Sequence, residues 1–414
     1  MKREKILSGG LVLTLLSALA LNSGCEKSEP PLVWDPNQQS GAAPFISSAN
    51  PPSSAIGGVT QVTLTGGNFV PVDTQNLVYF GGARAKVVSG TPTQLVVVAP
   101  DTVASGLSVR VAVPGALSLA VYSTPYAIEK ALGSYGDFTP VDEVYSIAVD
   151  GSENLYAQLA PPDTSTPPKV FMVTPSGTKT LYSTLDKTFP KASEMKMGPG
   201  GYLYLQQTNN VKLWRIPPCG GPATVWVTLP GKAGSIDFDS VGNLYAGGTS
   251  AGLFVVAPNG TSRSVGAYLN ISIRSVRVFA GAVYLLVDSP TKRVYKNAIL
   301  NTNGDLGPNT VAFDWANAGS AYTSASLFAL TFAANGDMVI GTNVANPIVI
   351  VHPDGSSEPL YPGVIPTQIT QSLQFAWGTG TSLYVNRDNP GTNVTRGVSK
   401  LSMGENGAPY YGRN

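Results

Sequence analysis

Apolar residues along most of this chain come in short alternating runs or short solid blocks, divided by turns of Gly, Pro, Asn and Asp. That is strand patterning. One phrase organises the C-terminal two-thirds: Ser235-Ile236-Asp237-Phe238-Asp239-Ser240-Val241-Gly242-Asn243-Leu244-Tyr245. It reads as an apolar strand, a tight polar turn ending Gly-Asn, and a second strand opening Leu-Tyr. Versions of it return around Tyr156, Tyr204, Tyr284, Val339 and Tyr384, so the six anchors are spaced by 48, 41, 39, 55 and 45 residues. A period of that length, with several short strands per unit, predicts a β-propeller. Each unit runs on into a third and fourth strand through hairpin turns such as Pro175-Ser176-Gly177, Pro258-Asn259-Gly260 and Pro353-Asp354-Gly355. Four strands per unit and six units predict a six-bladed disc over residues 135–414.

Two units depart from the pattern. The one after Tyr284 carries an insertion, roughly Ile299 to Ser326, and the last ends on Val398–Gly404 followed by Ala408-Pro409-Tyr410-Tyr411. This final stretch is expected to close the ring, so its removal is expected to open the disc. Upstream, residues 44–127 read as a separate small β-sandwich. Val62 and Leu64 alternate before a turn at Gly66-Gly67-Asn68-Phe69, and Leu107, Val109, Val111 and Val113 repeat at every second position.

The N-terminus is of another kind. Lys2, Arg3 and Lys5 precede an apolar run from Ile6 to Leu21, the order of a signal peptide over residues 1–24. Leu21-Asn22-Ser23-Gly24-Cys25 resembles a bacterial lipobox, with Leu one place earlier than usual. The resemblance implies lipidation at Cys25 and a membrane anchor there; an ordinary secretory signal with an incidental Cys, or an uncleaved anchor, is the alternative. Residues 25–43 are polar and Pro-rich, a tether. Charged residues directly after Cys25 resemble the surface-export signals of Bacteroidota lipoproteins.

Composition narrows the rest. With 26 basic and 25 acidic residues, and only 12% of the chain charged, nothing favours nucleic acid as a partner. His352 is the single histidine, which removes Ser/His/Asp catalysis and His-rich metal sites. Cys219, in a Pro-Pro-Cys-Gly turn, has no partner once Cys25 carries lipid, and no base stands near it in sequence. No metal or cofactor motif is legible.

Family resemblance adds to this reading. Pro44-Phe45-Ile46, Val62-Thr63-Leu64-Thr65-Gly66-Gly67-Asn68-Phe69, Val78-Tyr79-Phe80-Gly81-Gly82-Ala83 and Val96-Val97-Val98-Ala99-Pro100 resemble the IPT/TIG immunoglobulin-like family. That implies a spacer or interaction module with Phe69 in its core. Val33-Trp34-Asp35-Pro36-Asn37 resembles the lead-in of IPT-bearing Bacteroidota lipoproteins, some of which bind glycans. The Asn-Leu-Tyr units resemble NHL-type and gluconolactonase-type propellers, a likeness of fold rather than activity. The fold class is therefore all-β: an IPT/TIG sandwich followed by a six-bladed propeller.

Loops at the ends of second strands share one face of such a disc and usually form its binding surface. Here they hold Asn209, Asp288, Asn343, Asn386, Arg387 and Asp388, whose side chains both donate and accept hydrogen bonds. With Trp315, Tyr322 or Trp377 nearby they make a candidate sugar site; a plain solvated rim is the alternative. The gluconolactonase resemblance implies a metal-assisted hydrolase with Glu143, Asp288 and Asp388 as candidates, but the Glu-Gly-Pro surroundings of that family's metal Glu are missing. Paired glycosidase carboxylates and sialidase-type Ser-x-Asp boxes are also missing. The expectation is an outer-membrane lipoprotein that binds without catalysis, a glycan being the favoured ligand and an envelope protein the second.

Overall fold

The computed structural model describes residues 40–139, 142–248, 252–266, 268, 271–365, 374–387 and 396–411. The signal peptide, Cys25 and Asp388 lie outside them. Among the described residues no helix is long and apolar enough to cross a membrane.

Residues 45–129 form the sandwich. One sheet orders Phe45–Asn50, Gln61–Gly67, Gln94–Val98 and Lys86–Thr91; a second orders Ala120–Val121, Val109–Ala112, Leu77–Phe80 and Ala83–Arg84. A third, smaller sheet pairs Ser54–Ile56 in parallel with Tyr126–Glu129 and adds Ala104–Leu107. The alternation read from sequence decides what is buried. Val62, Leu64, Leu95, Val97, Val109 and Val111 are fully covered, and Phe69 joins them. Each such side chain contributes about 1.5–3 kcal/mol of burial. Gly66 is required by space: a Cβ there would sit 1.9 Å from the carbonyl oxygen of Phe45 on the paired strand.

Six four-stranded antiparallel sheets follow. Their inner strands are Val144–Val149, Ala192–Met197, Ser235–Phe238, Ser272–Phe279, Leu327–Phe332 and Phe375–Trp377, in blades 1 to 6. All six anchors fall in second strands: Leu155–Leu159, Leu203–Gln207, Leu244–Gly247, Ala282–Ser289, Met338–Thr342 and Ser382–Arg387. The organising phrase has a local cause. Asp239 accepts from the amides of Val241 (3.1 Å) and Asn243 (2.8 Å), from Asn243 Nδ2 (2.8 Å) and from the Tyr245 hydroxyl (3.4 Å). One carboxylate therefore ties the turn to the second strand. Asp150 does the same for Ser152, Asn154 and Tyr156 in blade 1. Burial and these carboxylates push the hydroxyl pKa of Tyr156 and Tyr245 well up, so both stay protonated donors. The three hairpin turns between third and fourth strands form where expected, with Gly177, Gly260 and Gly355 at φ of 88°, 89° and 85°.

Ring closure differs from expectation. The sixth blade takes its outermost strand from the start of the disc: Leu132–Tyr135 pairs antiparallel with Gly397–Ser402, Leu132 opposite Leu401 and Tyr135 opposite Val398. The propeller thus begins at Leu132. The tail after Gly404 instead crosses one end of the central channel. The Ala408 amide donates to Phe332 O at 2.9 Å, and the Ala334 amide to Asn406 O at 2.8 Å. A second tie joins the first and last blades. Glu153, at the turn position that is Gly242 in blade 3, has φ of 63°, and its carboxylate accepts from the Thr379 amide, the Thr379 hydroxyl (2.7 Å) and the Gly380 amide (3.1 Å).

The insertion is part of blade 4. Thr310–Asp314 is that blade's outermost strand, and two short 3-10 turns, Trp315–Asn317 and Ser320–Tyr322, lead on to blade 5. Its first turn reaches blade 3, where Arg263 pairs with Asp305 at 2.7 Å.

Candidate functional site

The inner strand of each blade is a sheet edge, and its outward amides find no strand partner. Side chains of the preceding blade supply the acceptors. Val276 N donates to Ser235 Oγ (2.8 Å), Val278 N to Asp237 Oδ2 (2.8 Å) and Ile236 N to Glu194 Oε2 (3.3 Å). Ile147 N donates to Gln374 Oε1 (3.3 Å), which links blade 6 to blade 1.

The same rule accounts for several residues singled out in the sequence. Asp288 accepts from Leu327 N at 2.9 Å, Asn343 from Ser326 N at 2.8 Å and Asn386 from Gln374 N at 2.7 Å. Asn386 is fully buried, and its Nδ2 donates to the carbonyls of Val144 and Tyr145. These three side chains clip blades together or hold a blade's own loop. Stacking on a ligand is not open to the aromatic candidates either. Trp377 is 0% exposed, Trp315 2% and Tyr322 6%. The indole of Trp315 donates to Tyr322 O at 2.8 Å, and that of Trp377 to Gly380 O at 3.1 Å. Large apolar rings between blades are core material, which is why they do not reach the loop face. Arg387 ends the second strand of blade 6, and Asp388 lies outside the described residues. Among the candidates whose side chains are described, Asn209 alone remains on the rim of the cavity described next, in the turn between second and third strands of blade 2.

That cavity, of about 290 Å³, opens at the end of the channel where the inner strands begin. All six blades contribute walls, including Tyr145, Gly248, Phe328 and Gln374. Among the described residues its cations are Lys191, Lys232, Arg274 and Arg277, and its carboxylate is Glu194. Sequence reading missed these residues. The signal that could have found them is a charge inside an otherwise apolar inner strand, as in Glu194-Met195-Lys196 and Arg274-Ser275-Val276-Arg277.

Beneath the cavity the channel holds four buried charged side chains. Lys196 Nζ lies 2.9 Å from Glu194 Oε1, and Arg277 Nη1 lies 3.8 Å from Glu194 Oε1 and 3.7 Å from Asp237 Oδ2. Glu194 Oε2 also accepts from the Ser235 hydroxyl. Arg277 Nη2 donates to Phe375 O at 3.2 Å. Burial pushes the Asp237 carboxyl above the usual carboxylate range, while Arg277 and Lys196 pull the other way. At the far end Tyr410 closes the channel: its ring stands 5.7 Å from the Arg277 guanidinium and 5.9 Å from Lys196 Nζ, and its hydroxyl donates to Trp377 O at 2.8 Å. The channel is therefore a blind pocket, wet and cationic at one end and stoppered by the tail at the other.

Among the described residues no three His, Cys, Asp or Glu side chains stand together as a metal set. Cys219 is exposed in the hairpin of blade 2, and His352 is bound to Asp337 at 2.8 Å, away from the cavity.

Residues 44–128 match the IPT/TIG domain family model. No curated protein matches the chain. Among solved structures, an auxiliary nutrient binding protein from Bacteroides ovatus aligns over 89% of this chain and 99% of its own, at 13% identity and a TM-score of 0.52. An auxiliary nutrient binding protein from Bacteroides thetaiotaomicron aligns over 89% and 98%, at 12% identity and 0.50. A luciferin-regenerating enzyme aligns over 68% and 98%, at 14% identity and 0.51. At these identities the likeness is one of fold: a sandwich and propeller in the first two, the propeller's share in the third.

Proposed function

We propose that this protein is an envelope lipoprotein, anchored at Cys25, that binds a saccharide without chemistry at the mouth of its propeller channel. The observation that carries the reading is the blind cavity itself. Its wall sets the half-buried rings of Tyr145 and Phe328 beside Asn209 and Thr208, the residue types that stack on and bond to a sugar. Its volume lies at the lower end of small-molecule sites, about 300–1,000 Å³. One sugar residue of a longer chain fits that space.

The binding reading is favoured over hydrolysis by the state of the one carboxylate present. Both oxygens of Glu194 are engaged, by Lys196 on one side and by Ser235 and Ile236 N on the other. Glycoside hydrolysis asks for two free, opposed carboxyl groups. The nutrient-binding names of the two Bacteroides proteins support the same direction. The IPT/TIG domain and the tether then hold the disc away from the membrane surface.

A glycan array probed with residues 26–414, with divalent metal present and then chelated, tests this. Binding to one polysaccharide class, unchanged by chelation, is the expected result. Failure to bind any glycan sinks the saccharide reading and moves attention to a protein partner. Binding that vanishes on chelation, with hydrolysis of a lactone or glycoside, sinks the non-catalytic part.

A further inference from the structure

The cavity's charge is out of keeping with a neutral ligand. Among the described residues four cations face it against one carboxylate, and that carboxylate is paired with Lys196 at 2.9 Å. Lys232 is exposed and makes neither an ion pair nor a hydrogen bond through its ammonium, while Lys191 lies over the Tyr145 ring at 4.3 Å with no acid beside it. Arg274 holds Asp288 through one nitrogen, at 3.3 Å.

Arg277 is the decisive residue. It is 3% exposed, it lines the cavity, and its Nε and Nη1 make no hydrogen bond. Buried guanidinium nitrogens are costly to leave without acceptors, and a guanidinium does not shed its proton to escape that cost. Thr208 Oγ1, also on the cavity wall, is buried without a partner as well. The acids nearest Arg277 stand at ion-pair distances of 3.7 and 3.8 Å, beyond hydrogen-bonding reach. Each has been taken by another donor: Glu194 by Lys196, Asp237 by the Val278 amide at 2.8 Å.

We propose that the cavity is an oxyanion receptor whose ligand presents a carboxylate or sulfate group to Arg277 and the surrounding lysines. Resting on the saccharide reading above, this makes the ligand an acidic glycan, a uronate or a sulfated sugar, in place of a neutral one. Tyr145 and Phe328 face the ring of that sugar, Arg277 receives its charged group at depth, and Lys191 and Lys232 attract it from outside.

Isothermal titration of the purified protein with four probes tests this: a trigalacturonate, a sulfated galactan oligosaccharide, galactotriose and succinate. An acidic sugar is expected to bind at least about tenfold tighter than galactotriose, and to weaken several-fold between about 50 and 300 mM NaCl as the charges are screened. The more tightly bound of the first two tells carboxylate from sulfate. Lys232→Gln changes an exposed rim residue and is expected to lose several-fold for the acidic sugar, with little change for galactotriose. Arg277→Gln is expected to lose the charge preference altogether, with its melting curve recorded alongside. Equal or tighter binding of galactotriose overturns the receptor and leaves the saccharide reading standing. Succinate binding as tightly as the acidic sugar supports the receptor and overturns the saccharide reading. No binding by any probe overturns both.

Discussion

Trp377 separates packing from recognition, and its replacement by Ala is the sharpest check on the assignment of the rings. The side chain is 0% exposed and packs in one cluster with Val339, Ile348, Phe375, Leu383 and Leu401 of blades 5 and 6. Truncating a buried Trp of this kind costs about 3–5 kcal/mol in lost transfer energy and unfilled cavity. Loss of the indole hydrogen bond to Gly380 O adds up to about 1 kcal/mol, reduced where water reaches that carbonyl. With roughly 2–3 °C of melting temperature per kcal/mol for a domain of this size, the fall is about 6–18 °C. Trp377→Phe keeps most of the volume and should lose about a third of that. Scanning calorimetry reads both, and titration with the ligand class from the array, run well below the lower melting point, reads binding. A Trp377→Ala protein that melts within about 2 °C of the parent, yet no longer binds, would refute the packing argument and return the ring to the loop face.

Three further outcomes follow from the same geometry. Glu153 occupies a positive-φ turn position to reach Thr379 and Gly380, so Glu153→Ala loses the tie and keeps the strain, whereas Glu153→Gly loses the tie and the strain together; the glycine variant should melt higher than the alanine variant by the equivalent of about 1 kcal/mol, and equal melting would sink the strain argument. His352 has its pKa raised above 6.5, first by its hydrogen bond to Asp337, so its stabilisation is full below the unfolded value and is lost as pH rises through the folded one. Because the pair is partly exposed, the gap in melting temperature between parent and His352→Gln should be about 1–2 °C at pH 6 and close to nil at pH 9, and a gap that grows with pH contradicts the sign. Deleting residues 405–414 removes the stopper while the strand pairing of Leu132–Tyr135 with Gly397–Ser402 remains; size-exclusion chromatography should show the parent's elution volume with a lower melting point, and aggregation of an opened disc would refute the closure described.

Much of the architecture was legible because it is written locally. Each Leu-Tyr anchor marks a second strand, and the Asp239 and Asp150 turns carry their own hydrogen-bond acceptor within six residues of the tyrosine they tie. The sandwich was legible for the same reason, since Val62, Leu64, Val109 and Val111 alternate and the alternation alone fixes which face is buried. Closure of the ring was not. Leu132-Gly133-Ser134-Tyr135 is a four-residue strand with little apolar character, and its partner lies at the other end of the disc. Nothing near it in sequence announces a pairing that only the finished ring makes possible. The tail was misread for a complementary reason: its aromatic pair Tyr410-Tyr411 looks like strand material, yet it serves as a cover over Arg277, Lys196 and Phe238.

The candidate site was hardest to read because a propeller asks for polar residues in two places that look alike along the chain. Loop ends hold Asn, Asp and Thr whether they face a ligand or turn inward to satisfy a neighbouring blade's edge. Asp288, Asn343 and Asn386 share the composition of a binding rim, and each instead accepts from a backbone amide at 2.7–2.9 Å. The inner strands show the reverse ambiguity. A charge within an apolar strand is expensive unless paired, so Glu194, Lys196, Asp237 and Arg277 read singly as anomalies and together as a network. What distinguishes a clip from a receptor is the remainder left after every internal donor and acceptor has been matched. Asp288, Asn343 and Asn386 are each matched to a backbone amide. Arg277 is matched only in part, through Nη2 to Phe375 O, and its Nε and Nη1 stay without a hydrogen bond at the floor of the cavity. Other buried polar atoms of the disc also lack a partner, Ser146 Oγ and Ser399 Oγ among them, but a cation with two unbonded nitrogens on a cavity wall is the feature that a charged ligand would complete.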